Sequence, residues 1–379
     1  MTGTAHGIVL VPGFFGFGTF GSPNGSHIDY FARVRDELAR RLHDLAPVFV
    51  THEPPAPTGR LRARASALFA QVAAVAKTVD RIHLVGHSTG GVDARHVANA
   101  AYAIDVASNE ERRQVIAKIA SVVTVSAPFH GTPLARNLAW ADEALLVPLH
   151  LLSILTSRDQ LRLTGRAALA LLGLRELVLG MPASQDRVIP AFLIGVDEAT
   201  ADQVRRFLKR VVNDTGALDD LPPERMRASE ADLAATDHPA LASFVSVAPR
   251  PARGLLRRFH PLDAPSRRIL YALAHRMATP EPRDAIPPLP LGPWIGRRPR
   301  WFAEEGANDG VVPAGSQTVG RLAAGIVHGD HLDVVGHFDA EGGSGTFFKS
   351  GAGFDRERFA ALWRAVAARI RTGARADLR

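Results

Sequence analysis

Residues 81–91, Arg-Ile-His-Leu-Val-Gly-His-Ser-Thr-Gly-Gly, constrain this chain more than any other stretch. An apolar run enters Gly86-His87-Ser88-Thr89-Gly90, a match to G-x-S-x-G, and a helical pattern follows. In a nucleophile elbow of this kind the chain leaves a strand, turns sharply with the serine in a strained conformation, and enters a helix. Glycines two before and two after the serine relieve the crowding at that crossing. With 33 glycines in the chain, a five-residue match also arises by chance, so its surroundings must carry the argument.

Those surroundings alternate strand and helix. Gly7 to Val11 is an apolar run, and Phe31, Val34, Leu38, Leu42 and Leu45 recur at helical spacing. Val48 to Thr51 reads as a strand, and Leu61, Ala65, Leu68, Val72 and Val75 as an amphipathic helix. Ile82 to Gly86 is the elbow strand, Gly90 to Tyr102 the helix behind it, and Ile119 to Val125 a further strand. Such alternation predicts an α/β class with a mostly parallel, doubly wound sheet.

The pattern changes at residue 134. Leucine-rich helical segments run to about 241, including Leu145 to Leu155, Ala167 to Leu179 and Val204 to Val212, with Ala191 to Ile194 the one strand-like piece. An inserted helical cap over residues 134–241 is expected, with its core in 1–133 and 242–379. Most of those leucines at helical spacing read as ordinary helix core. Phe244 to Val247 resumes the sheet. Residues 250–300 hold eleven arginines against Asp263, Glu281 and Asp284, broken by prolines, and read as a surface excursion with a solvated basic face. A terminal helix spans Arg356 to Ile370.

With no cysteine, the chain has no disulfide framework, thiolate metal site or cysteine nucleophile. Residues 1–7 lack the basic segment and apolar run of a secretory signal, so a cytoplasmic location is expected. The apolar stretch Ala144 to Leu155, interrupted by Pro148 and His150, falls short of the ~20 residues that span a bilayer. The formal net charge of +7 comes without an aromatic-interleaved RNA-binding motif, and no nucleic-acid partner is expected.

A serine hydroxyl needs a histidine base, and the histidine needs a carboxylate to hold its tautomer. Three of the fifteen histidines, His328, His331 and His337, cluster late in the chain, downstream of Asp309 in Ala307-Asn-Asp-Gly-Val-Val-Pro313. Composition does not choose among them. The oxyanion hole needs two backbone N–H groups, one from Thr89 and the other from the glycine-rich loop after the first strand, at Phe14. That loop holds Gly16-Phe-Gly-Thr-Phe-Gly21, a literal G-x-G-x-x-G. It continues through Ser22-Pro-Asn-Gly25 instead of opening a helix, so dinucleotide binding is set aside.

These residues together resemble the bacterial true lipases of the Pseudomonas and Burkholderia type, members of the α/β-hydrolase fold. Ile8 to Phe17 is similar to that family's oxyanion strand and loop, Ile28 to Phe31 to its next segment, Arg64 to Leu68 to a helix start, and Val85 to Arg95 to its elbow and helix. Val125 to Thr132 resembles its next loop, and Asn308 to Val312 and His331 to Asp333 the segments bearing its acid and histidine. The match spans residues 6–135 and 307–337; in the cap, only Leu218 to Met226 is faintly similar. The resemblance implies a triad of Ser88, Asp309 and His331, with an ester of lipid-like character as substrate and transient contact with a membrane surface. It implies no cofactor for the chemistry. The family's structural calcium is matched only by Asp333, with His337 near a second expected position and no upstream aspartate in place. The sequence departs from the family in having Pro12-Gly13 for its His-Gly and in lacking its signal and disulfide. The same triad also serves thioester cleavage or acyl transfer, and a non-catalytic membrane-surface protein on this scaffold is the reading of a different class.

Overall fold

The computed structural model describes residues 4–21, 27–105, 108–139, 198–233, 237–238, 240–251, 266–299, 302, 304–338 and 348–375. The cap segments expected at 145–155, 167–179 and 191–194 lie outside them.

Strand β1 (His6–Val11) is followed by a short antiparallel hairpin, β2 (Thr19–Gly21) and β3 (His27–Asp29). Then come α1 (Val34–Arg41), β4 (Val48–Thr51), α2 (Leu61–Val75), β5 (Arg81–His87), α3 (Thr89–Ala98), α4 (Asn109–Lys118) and β6 (Ile119–Val125). The described remainder is α5 (Pro133–Ala139), α6 (Glu198–Asn213), α7 (Ala217–Asp220), α8 (Pro223–Leu233), β7 (Leu241–Val247), α9 (Ser266–Ala278), β8 (Trp294–Ile295), β9 (Gly325–His328) and α10 (Arg356–Arg375). Seven strands form one sheet in the order β4-β1-β5-β6-β7-β9-β8, and every pairing described within it is parallel.

A parallel sheet buries both faces, which is why β1 and β6 are near-continuous apolar runs and every residue of β5 after Arg81, His83 included, is buried. Ile8 and Leu10 of β1 pack with Val34 and Leu38 of α1 and with Phe359, Leu362, Trp363 and Val366 of α10. Val9 and Val11 turn the other way, onto Ala65, Leu68 and Val72 of α2 and Ala94 and Val97 of α3. Strand β1 therefore lies at the reversal of strand order, with β4 on one side and β5 on the other. In open parallel sheets ligands bind beyond the carboxyl ends of the strands at such a reversal. Here that place is where Val11 pairs with Gly86, at the mouth of the elbow.

The structure departs from the sequence reading in three places. The helix behind the elbow stops at Ala98, and the pattern from Phe31 to Leu45 becomes α1 plus a separate 3-10 turn at His43–Leu45. The segment 250–300 is more than an excursion. It contributes α9, which buries Tyr271 and Ala272, edge strand β8, and the buried Asp284 that accepts from Arg136 Nη2 at 2.7 Å. Its described arginines Arg250, Arg268, Arg276, Arg283, Arg297 and Arg298 are exposed. No helix of the described residues is long and apolar enough to cross a membrane.

Candidate active site

Ser88 sits between β5 and α3 at φ 55°, ψ −134°, a conformation L-residues avoid. Two features hold it there. A Cβ on Gly86 would lie 2.5 Å from Gly91 Cα, and one on Gly90 would run into the carbonyl oxygens of Val11 and Pro12, so only glycine permits the turn. Ser88 N–H donates to Val125 O (3.0 Å), tying the elbow to the next strand. Thr89 then opens α3, where the first N–H groups have no partner within the helix and favour negative charge.

The loop after β1 passes directly over Ser88, because a Cβ on Gly13 would lie 2.5 Å from Ser88 Cβ. Phe14 and Phe15 make its turn, with Phe15 at φ 59°. Gly16-Phe17-Gly18 leads into the β2–β3 hairpin, not into the helix a dinucleotide site needs. Arg64, fully buried on α2, props the loop. Its Nη2 lies 2.6 Å from Asp93 Oδ2, 3.3 Å from Pro12 O and 3.5 Å from Gly13 O, and its Nη1 donates to Pro57 O. Burial pushes the Asp93 carboxyl up, against the attraction of Arg64.

Asp309 and His331 meet at the ends of β7 and β9. Asp309 is fully buried, and both its carboxylate oxygens are occupied. Oδ1 accepts from the N–H groups of Val311 (3.0 Å) and Val312 (2.8 Å). Oδ2 accepts from His331 Nδ1 (2.8 Å), Ser246 Oγ (2.8 Å) and Gln317 Nε2 (3.3 Å). A carboxylate at Nδ1 fixes the proton there and leaves Nε2 with the lone pair a general base needs. The His331 N–H also donates to Asp309 O (3.0 Å), so main chain and side chain are both clamped. The His331 ring lies 4.6 Å from that of His87, the residue preceding Ser88. The other two histidines of the cluster are elsewhere: His328 ends β9, and His337 Nε2 donates to Tyr30 O (2.9 Å).

The calcium candidate Asp333 sits in a different arrangement. Its Oδ2 accepts from Asp330 N–H (3.1 Å), while Asp330 Oδ1 accepts from the N–H groups of Leu332 and Asp333 (3.0 Å each). Burial raises the Asp330 carboxyl to about 6. Calcium takes about six to eight oxygens. Among the described residues no group of three or more histidines, cysteines or carboxylates is placed to hold a metal ion, and through these backbone bonds the pair caps the His331 turn.

No family model matches the sequence, and no curated protein matches it. Solved structures do. The lipase of Staphylococcus hyicus superimposes with a TM-score of 0.50 at 13% identity, covering 100% of this chain and 98% of that one. Its fold is shared here. This chain has the α/β-hydrolase fold. Lipase 1 from Pelosinus fermentans gives a TM-score of 0.49 at 17% identity over 97% of this chain and 98% of that one. EstA from Clostridium botulinum gives 0.48 at 18% over 97% and 89%.

On this α/β-hydrolase frame, Ser88, Asp309 and His331 follow one another in the chain order serine, aspartate, histidine. Several residues at the site were not singled out by motif. Arg64, Asp93 and His87 lie inside stretches that carry the resemblance, but nothing in their types marks a role. Ser246 looks like any strand residue, and Gln317 carries no signal at all.

Proposed function

We propose that this protein hydrolyses carboxylic esters of lipid-like character through an acyl-enzyme on Ser88, in the manner of the Pseudomonas and Burkholderia true lipases. The observation that carries the reading is the 2.8 Å bond from His331 Nδ1 to Asp309, formed at the same sheet edge as a serine in a strained elbow. His331 Nε2 takes the Ser88 proton as Oγ attacks the ester carbonyl. The N–H groups of Thr89 and Phe14 receive the oxyanion. His331 then passes the proton to the leaving alcohol, and afterwards deprotonates the water that releases the acid. Asp309, bonded to Nδ1, stabilises the imidazolium formed at each stage.

The lipid-like character has support beside the oxyanion loop. Phe14, Phe15, Leu138 and Val319 are partly buried over an apolar cluster that includes Leu61, Val92, Phe129 and Leu218. An acyl chain entering past Phe14 meets apolar side chains. The test is labelling by a fluorophosphonate probe, together with turnover of p-nitrophenyl esters of graded chain length. Ser88→Ala is expected to abolish labelling and lower turnover ~10⁴-fold or more. Wild-type protein that neither labels nor turns over any of these esters would refute the reading.

A further inference from the structure

Gly13, Tyr30, His87 and His331 come from four parts of the chain and join in one unbroken line of hydrogen bonds. Gly13 N–H donates to Tyr30 Oη at 2.9 Å, Tyr30 Oη lies 2.7 Å from His87 Nδ1, and His87 Nε2 lies 2.8 Å from the backbone oxygen of His331. The direction of each bond follows from chemistry. A carbonyl oxygen only accepts, so the His87 proton is on Nε2. A neutral ring then has its lone pair on Nδ1, and the Tyr30 hydroxyl must donate to it while accepting from Gly13. Each donor in the line has its acceptor. Burial, with His331 close by, holds His87 well below the usual histidine range, and burial holds Tyr30 as the neutral phenol.

The two ends of this line are the two moving parts of the proposed chemistry. Gly13 precedes Phe14, the oxyanion donor, and lies against Ser88. At the other end, His331 is the base, held at its backbone by His87 Nε2 and packed against the same ring. His87 itself is bonded covalently to Ser88. Tyr30 is anchored in turn by His337, which donates to its carbonyl at 2.9 Å.

We propose that Tyr30 and His87 are positioning residues, a relay of fixed tautomer that holds the oxyanion loop and the base histidine in register around Ser88. The proposal rests on the ester-hydrolase reading above, and its test separates the two.

The test uses the full chain as wild type, Tyr30→Phe and His87→Gln. Phenylalanine keeps the ring and removes the hydroxyl; glutamine offers a donor and an acceptor on one terminal amide, which cannot place both where the ring's Nε2 and Nδ1 stand. Each preparation is first titrated to completion with a fluorophosphonate, so that rates are expressed per competent serine. In Tyr30→Phe, kcat per labelled site is expected to fall about 10- to 100-fold, the scale of a small misplacement of catalytic groups. KM is expected to stay within about threefold, since ground-state binding is untouched. Affinity for an alkyl boronic acid, which mimics the tetrahedral intermediate, falls in parallel with kcat/KM. His87→Gln shows the same pattern. A purely structural role gives fewer labelled sites with kcat per site unchanged. That result in either variant overturns the relay, as does a change confined to KM. If one variant yields no labelled protein, the other decides. Failure of wild type to label would instead bring down the hydrolase reading itself.

Discussion

Replacing Arg64 by methionine removes the cation that neutralises Asp93 and, with it, the donors that reach the loop after β1. Both side chains of the pair are 1% exposed, joined at 2.6 Å and 3.0 Å, and Asp93 Oδ1 has no hydrogen-bond partner among the described residues. Leaving that carboxylate buried without its partner costs about 3–5 kcal/mol. The bonds to Pro12 O and Gly13 O, at 3.3 and 3.5 Å, are long and add about 0.5 kcal/mol each. Arg64→Met is therefore expected to lose about 4–6 kcal/mol in chemical denaturation. The double variant Arg64→Met, Asp93→Leu buries no unpaired charge and is expected to return to within about 2 kcal/mol of wild type. It does not restore the tether to Pro12 and Gly13. Its kcat per fluorophosphonate-labelled serine should remain about tenfold or more below wild type. Full turnover in the double variant would show that Arg64 acts only on stability, and a loss below about 1 kcal/mol in the single variant would refute the buried-charge argument altogether.

Four further outcomes are expected. Ser246→Ala removes one bond to the Asp309 carboxylate and should cost about 1.5–3 kcal/mol in denaturation, with ester turnover falling as well. His96 is buried with neither ring nitrogen bonded among the described residues, and burial lowers its pKa to about 3. The folded state thus keeps it neutral, and the stability this gives is present above about pH 6.5 and lost as pH falls toward 3. His96→Phe should therefore retain ~2 kcal/mol that wild type loses between pH 6.5 and 5, read as the shift in denaturation midpoint. Gly90→Ala drives a Cβ into the Val11 and Pro12 carbonyls and should cost about 1–3 kcal/mol or more, with labelling of Ser88 reduced. Adding a chelator is expected to leave turnover and thermal stability unchanged, since the Asp330 and Asp333 carboxylates accept backbone N–H bonds within the turn; a fall in either would show a metal site.

Much of the frame was legible because it rests on patterns local in sequence. Strands β1 and β6 are apolar runs with helical periods beside them, and the G-x-S-x-G motif announced β5 and the strand-to-helix turn at Ser88. Shorter pieces escaped. Strand β8 is two residues and the β2–β3 hairpin three residues a side, both below the length at which alternation can be seen, and the four residues of β9 were read only as the lead-in to the histidine cluster. Helix α9 was hidden by its own composition, since Arg267, Arg268 and Arg276 outweigh the buried Tyr271 and Ala272 in any reading of a surface loop.

The polar residues that hold the site were illegible for a different reason. The turns that follow three neighbouring strands, β1, β5 and β6, each hold a non-glycine residue with positive φ: Phe15 at 59°, Ser88 at 55° and Ser126 at 57°. Each such residue costs about 1–3 kcal/mol and persists only where its surroundings overdetermine it. The restraints are on hand at every one. Arg64 holds the carbonyls leading to Phe15, Val125 O accepts from Ser88 N–H, and Ser126 Oγ lies 2.6 Å from Ser246 Oγ, which in turn donates to Asp309. A motif shows where strain is tolerated, because glycines must stand beside it. The tethers stand 29 residues apart from Arg64 to Asp93, 120 from Ser126 to Ser246 and 244 from His87 to His331. No local pattern links residues at such separations, and serine, arginine or tyrosine at any one of them is unremarked until the sheet brings the strand ends together. The strained turns and the buried polar bonds are thus one arrangement, and the sequence displays only its glycine half.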